Sequence, residues 1–219
     1  MSRFVVIGLG IFGEAVLDTL MEGGHEVIGI DSQIERVNAM RDRGTEIVCL
    51  DARDPDALCD EGAASVDVAV IALGEAFETA ILAALNLRDL GVPKVIVRAR
   101  NQRERRIFEA VGVYHVVCPE EEAGRNLAQI LMDPEIHDWH RISGDFSMAT
   151  LDAPALLVDR TVLDSELRTR YGVNLIAIHR PVEGSSRLVV PRPETKIMEG
   201  DRLVLAGPDS RLEAFIELV

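Results

Sequence analysis

The sequence has 219 residues, of which 47% are hydrophobic, and its formal net charge is −14. This length fits one large or two small domains with enough apolar side chains to bury a core. The negative charge disfavours nucleic acid or an anionic membrane face as a direct partner, because phosphate groups are bound by clustered Lys and Arg, and no apolar run approaches the ~18 residues of a membrane span.

The first predicted element is a strand, 4–7, that leads directly into three glycines and then a helix. Strand, glycine turn and helix form the phosphate-binding arrangement of a dinucleotide-binding fold. In that arrangement Gly8 permits a tight turn and Gly10 lets the backbone come close to a pyrophosphate. Gly13 lets the helix pack against the strand, and the phosphate faces the unpaired N–H groups of the helix. We therefore expect an adenine nucleotide as the ligand.

The second predicted strand, 26–30, ends at Asp31. This acid follows the glycine turn by about 20 residues, the spacing of the carboxylate that holds ribose hydroxyls. A carboxylate accepts from a free 2′-OH and repels a 2′-phosphate, and Ser32 stands next to it in place of an arginine. The pattern predicts ATP, ADP or NAD rather than NADP. The alternative is that Asp31 caps the helix that begins near Ile34.

Four further strands, each followed by a helical pattern, complete the first domain. They are predicted at 46–50, 67–73, 94–98 and 114–117. Asp54 followed by Pro55 marks one of the helix starts. Six strands that alternate with helices predict an α/β fold with a doubly wound parallel sheet, Rossmann-like, over residues 1–118.

A connecting helix and hinge, 119–138, leads to a second domain over 139–219. From Trp139 onward, short strands with polar turns replace the continuous apolar strands. Strands are predicted at 141–151, 174–179, 187–190 and 202–206, and short helices at 163–171 and 209–218. This pattern predicts a small α+β domain.

The reactive residues of the chain do not indicate catalysis. A dehydrogenase needs a substrate domain that covers the nicotinamide and places an acid or base near it, whereas the second domain is small and no cluster of His, Lys or Tyr points to hydride chemistry. Cys49, Cys59 and Cys118 lack metal-site spacing, so we expect buried thiols in a reducing cytoplasm. We interpret the protein as a nucleotide sensor and not an enzyme. A small NAD-dependent oxidoreductase is the alternative.

Several motifs together resemble the regulator-of-potassium-conductance (RCK) family. They are FVVIGLGIFG at 4–13, LDARDP at 50–55, VAVIALGE at 68–75 and PRPETKIMEGDRLVLAG at 191–207. The last motif is typical of the second domain of the family. The resemblance covers essentially the whole chain, and the single copy of each domain is more similar to the KtrA type than to the duplicated TrkA type.

The resemblance implies a cytoplasmic protein that is peripheral to the inner face of the membrane. It implies dimers that assemble into a homo-octameric ring on a separate membrane potassium-translocating subunit. Nucleotide binding would change the shape of the ring and thereby open or close the gate. The resemblance implies ATP or ADP as the ligand in the KtrA branch and NAD(H) in TrkA relatives. A ligand shifts such an equilibrium only by its difference in affinity for the two states. A regulator of another cation channel or antiporter stays open as a further alternative.

The same resemblance implies a set of nucleotide-binding residues. Asp51 and Ala52 match the positions at the adenine edge, although Asp51 also fits a loop cap. Arg98, and less directly Arg100, match the basic position that approaches phosphates. The full set is Gly8, Gly10, Ile11, Phe12, Gly13, Asp31, Ser32, Asp51, Ala52, Ala72, Leu73, Gly74 and Arg98.

Two positions bear on the choice of ligand. KtrA members commonly carry an arginine where this chain has Ile11, and there it meets the terminal phosphate of ATP. Because isoleucine offers no charge to that phosphate, ADP, AMP and NAD become credible ligands. Glu120 matches an acid that reaches a divalent cation, Mg²⁺ or Ca²⁺, between the nucleotides of two subunits, although a glutamate at a helix start is also ordinary.

Some relatives bind cyclic di-AMP in a cleft between two copies of the second domain. The matching positions lie near Arg168, Asn174, Ile176 and Pro191. The alternating apolar pattern of 174–178 is explained equally well by a strand in the core of a dimer, so both readings stay open.

Overall fold

The computed structural model describes residues 2–182 and 185–217. The chain divides into two compact units, Met1–Glu121 and Glu122–Val219. Among the described residues, no helix is both long and apolar enough to cross a membrane.

The first unit is a six-stranded sheet with helices. Its strands are β1 Arg3–Ile7, β2 Glu26–Asp31, β3 Glu46–Cys49, β4 Val68–Ile71, β5 Lys94–Arg98 and β6 His115–Val117. Its helices are α1 Ile11–Glu22, α2 Ile34–Met40, α3 Pro55–Asp60, α4 Phe77–Asp89 and α5 Gln102–Val111. All neighbouring strands are parallel, in the order β3-β2-β1-β4-β5-β6. This confirms the doubly wound sheet, and the strand order reverses between β1 and β4, where such folds bind ligands.

The sheet of the first unit is buried on both faces. Val5 and Ile7 of β1 belong to one apolar cluster and Val6, between them, belongs to another. Successive side chains of a strand point to opposite faces, so helices on both sides must cover these residues. The continuous apolar strands of the sequence follow from this burial.

Two helix starts of the first unit are set by side chains. The carboxylate of Asp54 accepts from the amides of Asp56 and Ala57, with Pro55 at the first helical position of α3. The carboxamide of Asn101 likewise caps α5. The helix start predicted at Asp54 is thus confirmed.

The second unit is built on an antiparallel sheet. A connecting helix, α6 Pro119–Met132, begins in the first unit and ends in the second. The remaining elements are β7 Ile136–Ser143, β8 Phe146–Asp152, β9 Asn174–Val182, β10 Ser185–Val189, β11 Arg202–Pro208 and α7 Asp209–Ile216. The strand order is β10-β9-β11-β8-β7. Its core includes Trp139, Leu205 and Phe215, which confirms an α+β domain.

Three predictions for the second unit need correction. The single strand predicted at 141–151 is part of a hairpin, because Gly144, at φ +54°, turns the chain between β7 and β8. Of the helix predicted at 163–171, only Leu167–Tyr171 is helical, since Glu166 takes a left-handed conformation with φ +49°. The helix predicted at 209–218 ends at Ile216, and Leu218 lies outside the described residues.

The prediction of buried thiols is wrong for two of the three cysteines. Cys118 is buried, but Cys49 and Cys59 are exposed. Cys49 ends β3, which is an edge strand with β2 as its one neighbour in the sheet. Cys59 lies on the exposed side of α3, between the buried Leu58 and the acidic Asp60.

Candidate functional site

A cleft of about 180 Å³ opens at the carboxyl end of the parallel strands of the first unit. It brings together six residues of the predicted site, namely Gly8, Asp31, Ser32, Asp51, Ala52 and Leu73. The other six lining residues were not predicted as site residues; they are Ile7, Ile30, Leu50, Arg53, Ala76 and Thr79. The cleft lies beside the point where the strand order reverses, the usual ligand position of a doubly wound sheet.

Glycine stands at the three positions of the first turn for different structural reasons. Gly8 has φ +96°, and a Cβ on Gly13 would lie 1.8 Å from the carbonyl oxygen of Gly8. The fold therefore requires glycine at both positions. A Cβ on Gly10, by contrast, would have no described atom within 4 Å. The lack of a side chain at Gly10 leaves open space beside the backbone.

The N-terminus of α1 is open to a ligand. In the part of the chain that the structure describes, no side chain caps its first turn, and the first intrahelical bond runs from the Glu14 amide to the Gly10 carbonyl at 2.8 Å. The amides of Ile11, Phe12 and Gly13 precede that bond and have no partner within the helix. Ile11 is 92% exposed. Such a helix end attracts anions, phosphate included.

Asp31 is 4% exposed and lies at the wall of the cleft. Its Oδ2 accepts from the Leu9 amide at 2.8 Å, and its Oδ1 accepts from the Gln33 amide at 2.8 Å. Asp31 thus binds both the glycine turn and the residue that precedes α2. Arg36 Nη1 stands 3.2 Å from Oδ2, so a cation lies beside the acid although Ser32 follows it in sequence.

Asp51 is bound to Arg53. Its Oδ1 accepts from the Arg53 amide and from Arg53 Nε, both at 3.0 Å. These hydrogen bonds and the positive charge of Arg53 outweigh burial and hold the pKa of Asp51 below its usual range. This is the loop-cap arrangement that the sequence left open. The carbonyls of Ala52 and Arg53 accept from Asn86 Nδ2 at 3.3 and 3.0 Å, which fixes the loop.

Arg98, Phe12 and Gly74 form a second group of predicted residues beside the start of α1. The Cζ of Arg98 lies 5.6 Å from the centroid of the Phe12 ring, and Arg98 Nη2 donates to Glu120. A Cβ on Gly74 would lie 3.0 Å from Arg98 Nη1, so glycine at this position makes room for the guanidinium. Arg98 Nε is buried and has no hydrogen-bond partner among the described residues.

These groups fit an adenine nucleotide. Open space at Gly10 and the free amides of α1 suit phosphates, and Arg98 holds an unused buried donor. Asp31 retains carboxylate lone pairs for ribose hydroxyls. A metal fits a single chain less well: within residues 2–182 and 185–217, no three His, Cys, Asp or Glu side chains cluster to hold an ion. A cation at Glu120 would need further ligands from the nucleotide or from a second copy.

Comparison with known proteins identifies the family. Residues 4–119 match the TrkA-N domain and residues 146–219 match the TrkA-C domain. The chain belongs to the RCK family and is of the KtrA type. The two domains together cover nearly all of the sequence.

Full-length relatives support the assignment. The chain is 30% identical over 214 residues to the Ktr system potassium uptake protein C of Bacillus subtilis, covering 98% of this chain and 96% of that protein. It is equally similar to the Ktr system potassium uptake protein A of the same organism, of which it covers 95%. The GsuK channel bound to NAD shares the fold, with a TM-score of 0.71 and 20% identity over 99% of this chain. This chain spans 39% of that channel chain.

Two of the arginines of this RCK protein that follow β5, Arg100 and Arg105, pair with glutamates of α5. Arg100 donates from its amide and its Nε to Glu104, at 2.9 and 2.8 Å, and Arg105 stands 4.0 Å from Glu109. Arg98 differs because it reaches the start of α1. The structure therefore separates Arg98 from the neighbours that the sequence placed beside it.

The positions expected to bind cyclic di-AMP all lie in the second unit. Asn174 begins β9 and Ile176 lies at an irregularity where β9 pairs with β11. Ile176 is 49% exposed. Arg168 is exposed in the turn Leu167–Tyr171, and Pro191 follows β10. These residues belong to one unit but to three separate elements.

Proposed function

We propose that this protein is the nucleotide-sensing subunit of a Ktr- or Trk-type potassium uptake system. It acts on the cytoplasmic side of the membrane, where it gates a membrane potassium-translocating partner. Ligand binding changes the shape of a homo-octameric ring that is assembled from dimers. Its similarity to Ktr proteins over 98% of the chain supports the transporter partner.

The observation that carries nucleotide binding is the space at Gly10. The fold itself explains Gly8 and Gly13, but the described residues offer no packing reason for glycine at position 10. A ligand that approaches the backbone at this point does explain it, because a side chain would block contact with the first amides of α1.

We assign ADP, ATP or NAD(H) as the ligand. The first phosphates lie on the amides of α1, Asp31 accepts from the ribose, and Asp51 with Ala52 forms the adenine wall. Arg98 binds the outer phosphate, and Ile11 adds no charge there. The GsuK channel, a protein of the same fold, has a structure bound to NAD. This favours a dinucleotide among the candidates.

The role is regulatory and not catalytic. The described residues that line the cleft include no His, Lys, Cys or Tyr. Its two carboxylates, Asp31 and Asp51, are hydrogen-bonded within the chain and are assigned to the ribose and the adenine, so neither is placed as an acid or base for an oxidoreductase. A ligand in such a site acts by its difference in affinity between two states of the ring.

Two further ligands belong to the proposal. Mg²⁺ or Ca²⁺ would bind at Glu120 together with nucleotide from two subunits. Cyclic di-AMP would bind between two C-terminal units near Asn174 and Ile176. Both would need a second copy of the chain, so binding of either should depend on assembly.

Calorimetric titration of the purified chain with ATP, ADP, AMP and NADH tests the proposal, with and without Mg²⁺ and with light scattering for the assembled mass. We expect saturable binding of at least one nucleotide and a particle of ring size. A protein that binds none of them and assembles no further than a dimer would remove the basis of the proposal. Oxidation of NADH with a panel of small carbonyl compounds would support the enzyme alternative.

A further inference from the structure

We propose that the Glu120 carboxylate competes with the nucleotide phosphate for Arg98. Before nucleotide binds, the carboxylate is hydrogen-bonded to the Arg98 guanidinium, and the phosphate must displace it. The inference rests on the proposed nucleotide site. In this proposal, Glu120 acts in the selection of the nucleotide before it takes part in binding a cation.

The position of Arg98 supports this competition. Its guanidinium lies over the ring of Phe12, the second residue of α1. The absence of a side chain on Gly74 makes room for Nη1 on another side. Only 19% of the Arg98 side chain is exposed. The guanidinium is therefore held beside the helix end that binds phosphate, and the group that can move is its partner.

Glu120 has the properties of a displaceable stand-in for phosphate. A carboxylate and a phosphate both bind arginine through anionic oxygens. The Glu120 side chain is 53% exposed, so it can turn into solvent. Burial acts to raise its pKa, but hydrogen bonds from Arg98 and from its own amide, with the charge of Arg98, bring that pKa below its usual range. The carboxylate is thus charged at neutral pH.

The unused donor of Arg98 gives phosphate an advantage. Glu120 accepts from Nη2, whereas the buried Nε has no partner within the described part of the chain. A phosphate presents three oxygens and can accept from both nitrogens. A ligand whose phosphate reaches Arg98 can therefore replace the carboxylate, and a ligand whose phosphate stops short cannot.

The exchange also changes the start of α6. Glu120 is the second residue of that helix, and its bond to Arg98 ties the helix to the end of β5. Displacement by phosphate releases this tie and frees a carboxylate for a cation or a neighbouring subunit. Until then, the apparent affinity for nucleotide is the intrinsic affinity multiplied by the fraction of protein in which the pair is open.

The test is calorimetric titration of the full chain with ATP and with ADP, in EDTA so that no divalent cation takes part. Glu120→Gln keeps the shape of the side chain but removes the charge that holds Arg98. We expect this variant to bind nucleotide about fivefold more tightly, the factor that corresponds to a partly exposed ion pair.

Glu122→Gln is the matched control, because it removes the same charge from the same end of α6 without touching Arg98. We expect its affinity to stay within about twofold of the wild type. In an Arg98→Gln background, Glu120→Gln should bring no gain. If the wild type binds nucleotide but Glu120→Gln binds it no more tightly than Glu122→Gln does, this inference is wrong while the proposed function stands. Absence of nucleotide binding by every form overturns the proposed function and this inference with it.

Discussion

Asp31 in the first unit and Asp201 in the second are both buried carboxylates, at 4% and 0% exposed, but their surroundings differ. Asp201 is enclosed: Arg180 Nε donates to its Oδ1 at 2.9 Å, while Arg180 Nη2 and the Met198 amide donate to its Oδ2 at 2.7 and 2.8 Å. Asp31 accepts from two amides and from Arg36, and one side of it forms the wall of an open cleft.

These surroundings distinguish a structural acid from a ligand-binding acid. Burial and an arginine partner are common to both and decide nothing. The distinguishing observation is whether the carboxylate faces space that the chain itself leaves open. By this criterion we assign Asp201 a structural role in the second unit, and we propose that Asp31 binds a ribose in addition to supporting the glycine turn.

Asp201→Ala should produce the largest loss of stability. It leaves Arg180 without its acid, and breaking a buried pair of this kind lowers the free energy of unfolding by about 3 kcal/mol. Urea unfolding followed by fluorescence measures it, because the single tryptophan, Trp139, is buried in the core of the second unit. A loss as small as that of the exposed Asp164→Ala would show that the enclosed pair is not structural.

Asp31→Asn should act mainly on the ligand. The amide keeps the size of the side chain but offers the ribose hydroxyls a weaker, uncharged acceptor, so the affinity for ATP or ADP should fall about tenfold. Calorimetry measures this, with Asp89→Asn at the exposed end of α4 as the control. An unchanged affinity would place Asp31 with Asp201, as a structural acid alone.

Glu104 sharpens the comparison because it is a buried acid of the first unit that does not line the cleft beside Asp31. Burial acts to raise its pKa, but hydrogen bonds from the Arg100 side chain and amide lower that pKa overall. A lowered pKa in the folded state contributes stability above the ordinary value of about 4.3, and this contribution is lost as pH falls below it.

Between about pH 7 and about pH 3.5, the wild type should therefore lose up to about 1 kcal/mol more stability than Glu104→Gln. Urea unfolding followed by circular dichroism at the two pH values measures the difference. Glu109→Gln, on the same helix, should behave like the wild type. Equal losses in the wild type and in Glu104→Gln would show that the pair with Arg100 contributes nothing.

Much of the first unit could be predicted because its signals are local. The glycine turn is defined by backbone conformation over six residues, and Asp31 follows a strand at a regular spacing. The β7–β8 hairpin was missed because the apolar alternation on either side of Gly144 continues through the turn. Burial of Cys49 was predicted wrongly because an edge strand and a central strand carry similar residues.

The pairings within the site could not be predicted from sequence. Arg98 and Glu120 are 22 positions apart and meet because β5 and β6 are neighbours in the sheet. Five arginines lie between positions 98 and 106, and only the fold shows that Arg98 alone among those described reaches Phe12. Arg36 and Arg53 were missed, although each lies within five residues of the acid it binds.

If the space at Gly10 holds a nucleotide, a side chain at this position should block binding, and Gly10→Val introduces one. Calorimetry with ATP, ADP and NADH should show a loss of affinity greater than about a hundredfold, while the melting temperature in the absence of ligand stays close to that of the wild type. Gly124→Val, at a second glycine with no described atom near its added Cβ, should bind as the wild type does. Undiminished nucleotide binding by a folded Gly10→Val would contradict the account.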